Sequence, residues 1–246
     1  VFGVYALAKR YFVGLLDLMA REGFEKLVIL HEDSPFHQDV AAGTVLWAKR
    51  FGINISLKAP FTNAESEFPG LLEKAIEVNA DGLIVSAYSQ ECYQFLDLMK
   101  KKKYRPKVLA LTIAPIHPEF YQKAGRIAEG VFDPSQWEPD ERIPFPGTNK
   151  FIDGFVAYAK KVPSYHAGSA YAASQIIESA ITQTKSLDHN RIREYIRAMD
   201  TVTVIGRFKV DHKGKQIGHN PIMIQWQKGD KEIVYPTKMQ TASARF

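Results

Sequence analysis

Leu27-Val28-Ile29-Leu30-His31 is a short apolar run that ends at the polar turn Glu32-Asp33-Ser34-Pro35. The same order of apolar run, turn and helical pattern returns at Gly82–Ser86 and at Val108–Thr112. Runs that are apolar at every position are typical of parallel strands that helices cover on both faces. Residues 1–135 therefore predict a complete doubly wound α/β lobe with a parallel sheet.

This fold class predicts where a ligand would bind. In open α/β sheets, ligands lie beyond the carboxyl ends of the strands. We therefore expect the candidate site in the turns that follow residues 31, 86 and 112.

The pattern changes after the proline-rich stretch Pro134–Pro146. Three helices are predicted next, at 149–161, 165–184 and 189–199, followed by strands that include Val202–Val210. Such amphipathic helices need a sheet to cover, yet this part of the chain supplies only hairpin strands. We therefore expect the chain to be one whole lobe plus half of a second α/β lobe, because the parallel strands that should lie under these helices are not in this sequence.

Two finer predictions concern single elements. Val1–Val4 is predicted to be a short strand. The helix at 165–184 is predicted to bury a stripe that includes Ala173, Ile177 and Ala180.

Composition excludes several classes of protein. The chain has 246 residues, 46% of them hydrophobic and 24% charged, with a formal charge of +5 and a pI of about 9.1. Its dense basic cluster, Lys100–Lys103, follows a helical pattern and complements the dipole at the helix C-terminus. No nucleic-acid-binding motif accompanies it, so no nucleic-acid partner is predicted. The single Cys92 excludes an intrachain disulfide and a CxxC site.

Motifs for catalysis, metals and cofactors are absent from the sequence. The seven histidines show no HxH or HExxH spacing, which argues against a metal site. No GxGxxG or P-loop pattern indicates a nucleotide or other cofactor, and no GxSxG elbow surrounds Ser34 or Ser89. We therefore predict no catalytic residues, no metal and no cofactor.

Several longer segments resemble a known family. They are VFGVYALAKRYFVGLLDLMA at 1–20, PSYHAGSAYAASQIIESAI at 163–181, and the run from Ser186 to Pro236. The sharpest parts are the helix start Tyr165–Ala173, the run Thr203-x-x-Gly206-x-Phe208 with Asp211-x-x-Gly214, and Gln225-Trp226-Gln227. Together they resemble the later two-thirds of periplasmic substrate-binding proteins of ABC transporters, of the branched-chain amino acid (leucine/isoleucine/valine-binding) type.

The resemblance implies a type I periplasmic-binding fold, in which two lobes joined by a hinge hold a small-molecule ligand between them. Residues 1–135 would be the complete lobe two, and 136–246 the C-terminal part of lobe one with hinge strands. It further implies a non-enzymatic, extracytoplasmic protein, a monomer when full length, that works with a membrane permease. Its signal peptide would lie in the missing N-terminal part.

The resemblance also implies ligand-binding residues. Phe36 stands where the family has a ligand-facing Tyr, His37 stands where it has Gly, and Tyr88 matches a second aromatic wall. Ser34 and Ala87 lie in the same two turns, and Tyr5 lies beside the first crossing segment as a rim or hinge residue. From the residues alone, Phe36 and Tyr88 could equally be packing residues, and His37 a solvated residue at a helix start.

Ile113 occupies the position where amino-acid binders of the family place a Glu that pairs with the ligand ammonium. The nearest acid downstream is Glu119. A buried ammonium without a carboxylate would be costly. This departure favours a carboxylate with an apolar body, or a small amide, over a plain α-amino acid.

Other interpretations stay open at the level of sequence. Glu32 and Asp33 could pair with Glu91, although turn solvation and helix capping also account for them. The chain could instead be the ligand-sensing domain of an extracellular receptor with the same fold. A doubly wound enzyme that uses the same crevice is the remaining alternative.

Overall fold

The computed structural model describes residues 1–143 and 145–246; Pro144, within the predicted linker, lies outside them. The chain folds as α/β and divides into two compact units. The larger unit contains Ala8–Pro134 and Ile222–Phe246, and the smaller unit contains Val1–Leu7 and Ser135–Pro221. The chain therefore passes from one unit to the other at three places.

The helices and strands follow in chain order. The α-helices are α1 (Val13–Arg21), α2 (Pro35–Arg50), α3 (Ala64–Val78), α4 (Ser89–Lys102), α5 (Phe120–Ala124), α6 (Thr148–Ala159), α7 (Tyr165–Thr184) and α8 (His189–Ala198). The strands are β1 (Lys26–Glu32), β2 (Asn54–Phe61), β3 (Gly82–Ser86), β4 (Val108–Leu111), β5 (Val131–Ser135), β6 (Asp200–Thr203), β7 (Gly206–Lys209), β8 (Ile222–Gln227) and β9 (Asp230–Tyr235). Among the helices of the described residues, none has the length and apolar character that crossing a membrane requires.

The larger unit is built on a seven-stranded sheet of order β2-β1-β3-β4-β5-β8-β9. The strands β2, β1, β3, β4 and β5 are parallel to their neighbours in that order, and β8 and β9 form an antiparallel pair. Every residue of β3 and β4 is buried, as the all-apolar runs predicted. The predicted doubly wound sheet is confirmed, and the apolar face of α1 (Leu15, Leu16 and Met19) lies in its core.

The smaller unit packs α7 and α8 around Ile176, Ile196, Phe208 and neighbouring residues, with Phe2 and Val4 against them. Its sheet is the two-stranded hairpin β6–β7. Asp188 is the N-cap of α8, because its carboxylate accepts a hydrogen bond of 2.9 Å from the Arg191 backbone N–H.

Three predictions about elements of the smaller unit were wrong. Val1–Val4 forms no strand; its Gly3 N–H donates a single hydrogen bond to Gly214 O. Val202–Val210 is not one strand, because a turn before Gly206, whose φ is +123°, folds it into β6–β7. The predicted stripe of α7 is rotated, since Ile176 and Ala180 are buried while Ile177 is 51% exposed.

The predicted boundary between 1–135 and 136–246 also differs from the observed division at both ends. Residues 222–246 belong to the larger unit, where β8 is entirely buried and lies between β5 and β9. A strand buried at every position needs cover on both faces, which the large sheet provides. Residues 1–7 belong to the smaller unit.

Candidate functional site

Three adjacent parallel strands of the larger unit, β1, β3 and β4, bring the predicted turns to one edge of the sheet. His31 lies opposite Ser86, and Val85 lies opposite Leu111. The turns after residues 31, 86 and 112 are therefore neighbours in space, as the sequence predicted.

The first turn presents Ser34 and Phe36. Ser34 is the N-cap residue of α2, yet its side chain makes no capping hydrogen bond, and its buried Oγ has no hydrogen-bond partner among the described residues. Phe36 is half-buried and contacts the Tyr11 ring edge-to-face at 5.4 Å between centroids. Phe36 thus packs on its own unit and keeps part of its ring accessible.

His37 is fully buried, so the alternative that it is solvated was wrong. The side chain lies on the face of α2 that covers the sheet, where its Nδ1 lies 2.9 Å from Ser86 Oγ. Its ring contacts Tyr88 at 4.8 Å between centroids. Burial lowers the pKa of His37 to about 4, with nearby His31 adding to the effect, so the imidazole is neutral at pH 7.

The second turn separates the roles of Ala87 and Tyr88. Ala87 is buried, and its backbone N–H and C=O are both paired with Thr112 Oγ1, at 2.9 and 2.8 Å. The Ala87 backbone N–H and C=O are therefore already paired within the protein. These hydrogen bonds join the turn after β3 to the turn after β4. Tyr88 directly precedes α4 and leaves 49% of its surface exposed.

The third turn contains Ile113 in an unusual conformation. Its φ is +67° and its ψ −53°, and the Ala114 N–H donates to Thr112 O at 2.7 Å, which closes a γ-turn. Positive φ is strained for a β-branched residue. The turn offers no carboxylate of its own, and Glu119 is paired with Lys123 at 3.2 Å.

Two acidic residues near these turns were underestimated by the sequence interpretation. Glu32 ends β1 and Glu91 lies in the first turn of α4. Burial raises the pKa of Glu32, the Glu91 carboxylate raises it further, and a backbone hydrogen bond from Tyr88 opposes this. The two carboxylates therefore interact, whereas Asp33 is exposed and accepts a hydrogen bond from Gln38. Glu32 directly follows the apolar run 27–31, whereas Glu91 lies five residues after the end of β3 and gives no such signal.

We define the strand-end cluster as His31, Glu32, His37 and Glu91. Each of these side chains has one buried nitrogen or oxygen for which residues 1–143 and 145–246 supply no hydrogen-bond partner: His31 Nε2, Glu32 Oε2, His37 Nε2 and Glu91 Oε2. Buried polar atoms are normally hydrogen-bonded, so such a concentration calls for a physical explanation.

Ser86, His37 and Glu32 have the order of a nucleophile, a base and an orienting acid, but not the geometry. Ser86 is completely buried, and His37 Nε2 lies 3.7 Å from Glu32 Oε2, beyond hydrogen-bonding distance. A base with a pKa of about 4 is poorly matched to proton abstraction at pH 7. The arrangement supports binding better than nucleophilic catalysis.

Tyr5 lies in the smaller unit. It is 40% exposed, and its ring contacts Tyr165 edge-to-face at 5.8 Å between centroids. The neighbouring Ala6 N–H donates to Gln136 Oε1 at 2.9 Å, which fixes the backbone beside it. The other six predicted site residues all lie in the larger unit.

The chain belongs to the periplasmic binding protein family, whose model matches residues 1–231. The Leu/Ile/Val-binding protein homolog 7 of Brucella suis biovar 1 is 22% identical over 229 residues, which cover 90% of this chain and 57% of the relative. The chain thus spans little more than half the length of the curated relatives it matches.

Solved structures show the same fold. An ABC transporter solute-binding protein of R. palustris in complex with benzoate has a TM-score of 0.73 at 15% identity, over 95% of this chain and 64% of that one. An ABC transporter substrate-binding protein of Desulfitobacterium hafniense in complex with Leu has a TM-score of 0.73 at 20% identity, over 92% and 65%. The predicted type I periplasmic-binding fold is thereby confirmed, and the curated relatives that match carry the name Leu/Ile/Val-binding protein homolog.

Proposed function

We propose that this chain is part of the extracytoplasmic solute-binding component of an ABC importer. It binds, without transforming it, a small ligand that has an apolar body and a polar end: a carboxylate, an amide or an amino-acid-like molecule. Ligand binding shifts the protein towards a form that a membrane permease recognises. The full-length protein acts as a monomer.

The observation that carries this proposal is the exposed Tyr88 ring at the carboxyl end of the buried strand β3. A half-exposed tyrosine beside a fully buried histidine offers a flat apolar surface and one hydroxyl. Phe36 adds a second ring from the neighbouring turn, because it contacts the same histidine at 4.9 Å. Family membership supports the proposal, since the matched relatives are binding proteins.

A thermal-shift screen of small carboxylates, amides and amino acids against the full-length protein tests the proposal, followed by calorimetry on each hit. We expect at least one compound to raise the Tm, and Tyr88→Ala to weaken its binding about tenfold or more. Tyr88→Phe removes only the hydroxyl, so a comparison with Tyr88→Ala separates the contribution of the ring to binding from that of the hydroxyl.

Tyr158→Ala is the matched control, because Tyr158 is 91% exposed on α6 of the smaller unit. Binding that survives Tyr88→Ala as well as Tyr158→Ala would remove Tyr88 from the site. A screen in which no compound raises the Tm would contradict the proposed ligand class.

A further inference from the structure

The strand-end cluster contains two interacting carboxylates, each with one oxygen shielded from water. The Glu32 side chain keeps 25% exposure, but its Oε2 is buried, as is Glu91 Oε2. Neither of these oxygens accepts a hydrogen bond within the described residues. Two carboxylates held close together in a poorly solvated place repel each other unless a proton or another cation lies between them.

The His37 side chain lies beside Glu32 but does not supply the hydrogen-bond donors that the two carboxylates lack. It is completely buried, and its Nδ1 is engaged with Ser86 Oγ. Its remaining nitrogen, Nε2, has no hydrogen-bond partner in the part of the chain that the structure describes, and it lies 3.7 Å from Glu32 Oε2. In one tautomer Nε2 is a third acceptor; in the other it is a single donor for two carboxylates. In both, acceptors outnumber donors.

What the cluster lacks is a positively charged group with several N–H donors. A metal ion is a weaker match, since the described residues contain no group of three or more His, Cys, Asp or Glu side chains arranged to hold one. An ammonium has three donors, and a guanidinium has five. Either group could approach from solvent through the partly exposed Glu32 side chain. The ring of Tyr88 nearby offers a further favourable surface for a cation.

We propose that Glu32 and Glu91, together with His37, bind a cationic N–H group of the ligand, an ammonium or a guanidinium. This inference rests on the proposed function and narrows its ligand class to the amino-acid-like member: the solute carries a protonated amine or guanidine beside its apolar body. The positive charge is held at the ends of β1 and β3, and the Ile113 turn contributes no charge to it.

The test compares head groups on the same body. Butylamine, butyrate and butyramide form one set, and benzylamine, benzoate and benzamide form a second. Each compound is added to the full-length protein at pH 7 and equal ionic strength, and the Tm and Kd are measured. The variants are Glu32→Gln, Glu91→Gln and, as a matched control, Glu77→Gln, whose side chain is exposed on α3.

We expect at least one amine to raise the Tm more than the acid and the amide of the same body. Glu32→Gln and Glu91→Gln should each weaken amine binding about tenfold or more, because each removes a charge-assisted hydrogen bond. Glu77→Gln should leave the affinity unchanged. The glutamine variants keep the shape of the side chain and remove its charge. The Tm of each variant, measured without ligand, verifies that it folds.

Two results would overturn the inference. One is that neither amine stabilises the protein; the other is that an amine binds equally well to wild type, Glu32→Gln and Glu91→Gln. If butyrate or benzoate binds instead, and that binding depends on Tyr88 but not on Glu32, the proposed function stands and the cation site falls.

Discussion

The two units of this chain bury their apolar residues to very different degrees. In the larger unit, helices cover a seven-stranded sheet, and α1 buries Leu15, Leu16 and Met19 completely. In the smaller unit, three helices accompany one two-stranded hairpin, and apolar residues such as Val156 and Ile177 are exposed. A helical apolar pattern therefore shows that a helix can bury a face, but the surrounding sheet decides how much of it is buried.

Truncating one apolar side chain in each unit gives the largest expected contrast. Leu16→Ala removes a fully buried side chain from the core of the larger unit and should cost about 3 kcal/mol of unfolding free energy. Ile177→Ala removes a side chain that is 51% exposed and should cost less than about 1 kcal/mol. Denaturant unfolding of the full-length protein, with hydrogen exchange read separately for peptides of each unit, measures both.

An Ile177→Ala cost as large as that of Leu16→Ala would break the comparison. It would mean that the exposed face of α7 is covered in the full-length protein.

Two helical glycines sharpen the comparison at the level of backbone packing. A Cβ at Gly43 of α2 would lie 2.3 Å from the Cα and the carbonyl oxygen of Lys9, so backbone would have to move. Gly43→Ala should therefore destabilise the larger unit by about 2–3 kcal/mol. A Cβ at Gly154 of α6 meets no atom within 4 Å, and Gly154→Ala should stabilise the smaller unit by about 0.5–1 kcal/mol.

The same denaturation and exchange measurements apply to the glycine variants. Equal effects of the two substitutions would show that α2 does not approach the Lys9 backbone as closely as described.

A smaller effect is expected from pH, through His37 in the larger unit. Its folded pKa of about 4 lies below the unfolded value of about 6.5, so the unfolded chain binds more protons between these values. This contribution to stability is fully present above pH 6.5 and is lost as the pH falls, and the loss reaches about 2 kcal/mol at pH 5. His37→Asn should flatten the curve of stability against pH over this interval.

Glu32 acts in the opposite direction, because its pKa is raised in the folded protein and protonation at low pH relieves its cost. Glu32→Gln should therefore steepen the acid loss that His37 causes. A wild-type curve no steeper than that of His37→Asn would contradict the burial of a neutral imidazole here.

Much of the site could be located from the sequence, but not its electrostatics. The runs 27–31, 82–86 and 108–112 predicted three parallel strands, and their turns meet at one edge of the sheet, as expected. The burial of His37 could not be predicted, because its neighbours Phe36 and Gln38 give no sign of which face of α2 covers the sheet. The coupling of Glu32 to Glu91 joins residues 59 positions apart through the order of the strands.

Local pattern by itself determined the class of fold, since strands apolar at every position are stable only when helices cover both faces of a sheet. It also determined helix starts such as Asp188, whose carboxylate caps α8 through a backbone N–H only three residues later in the chain. Tertiary structure alone decided that β8 joins the larger unit, that α7 buries Ile176 instead of Ile177, and that the carboxylates of Glu32 and Glu91 interact. Such outcomes depend on packing between segments far apart in the chain, and the periodicity of a single segment carries no information about its distant neighbours.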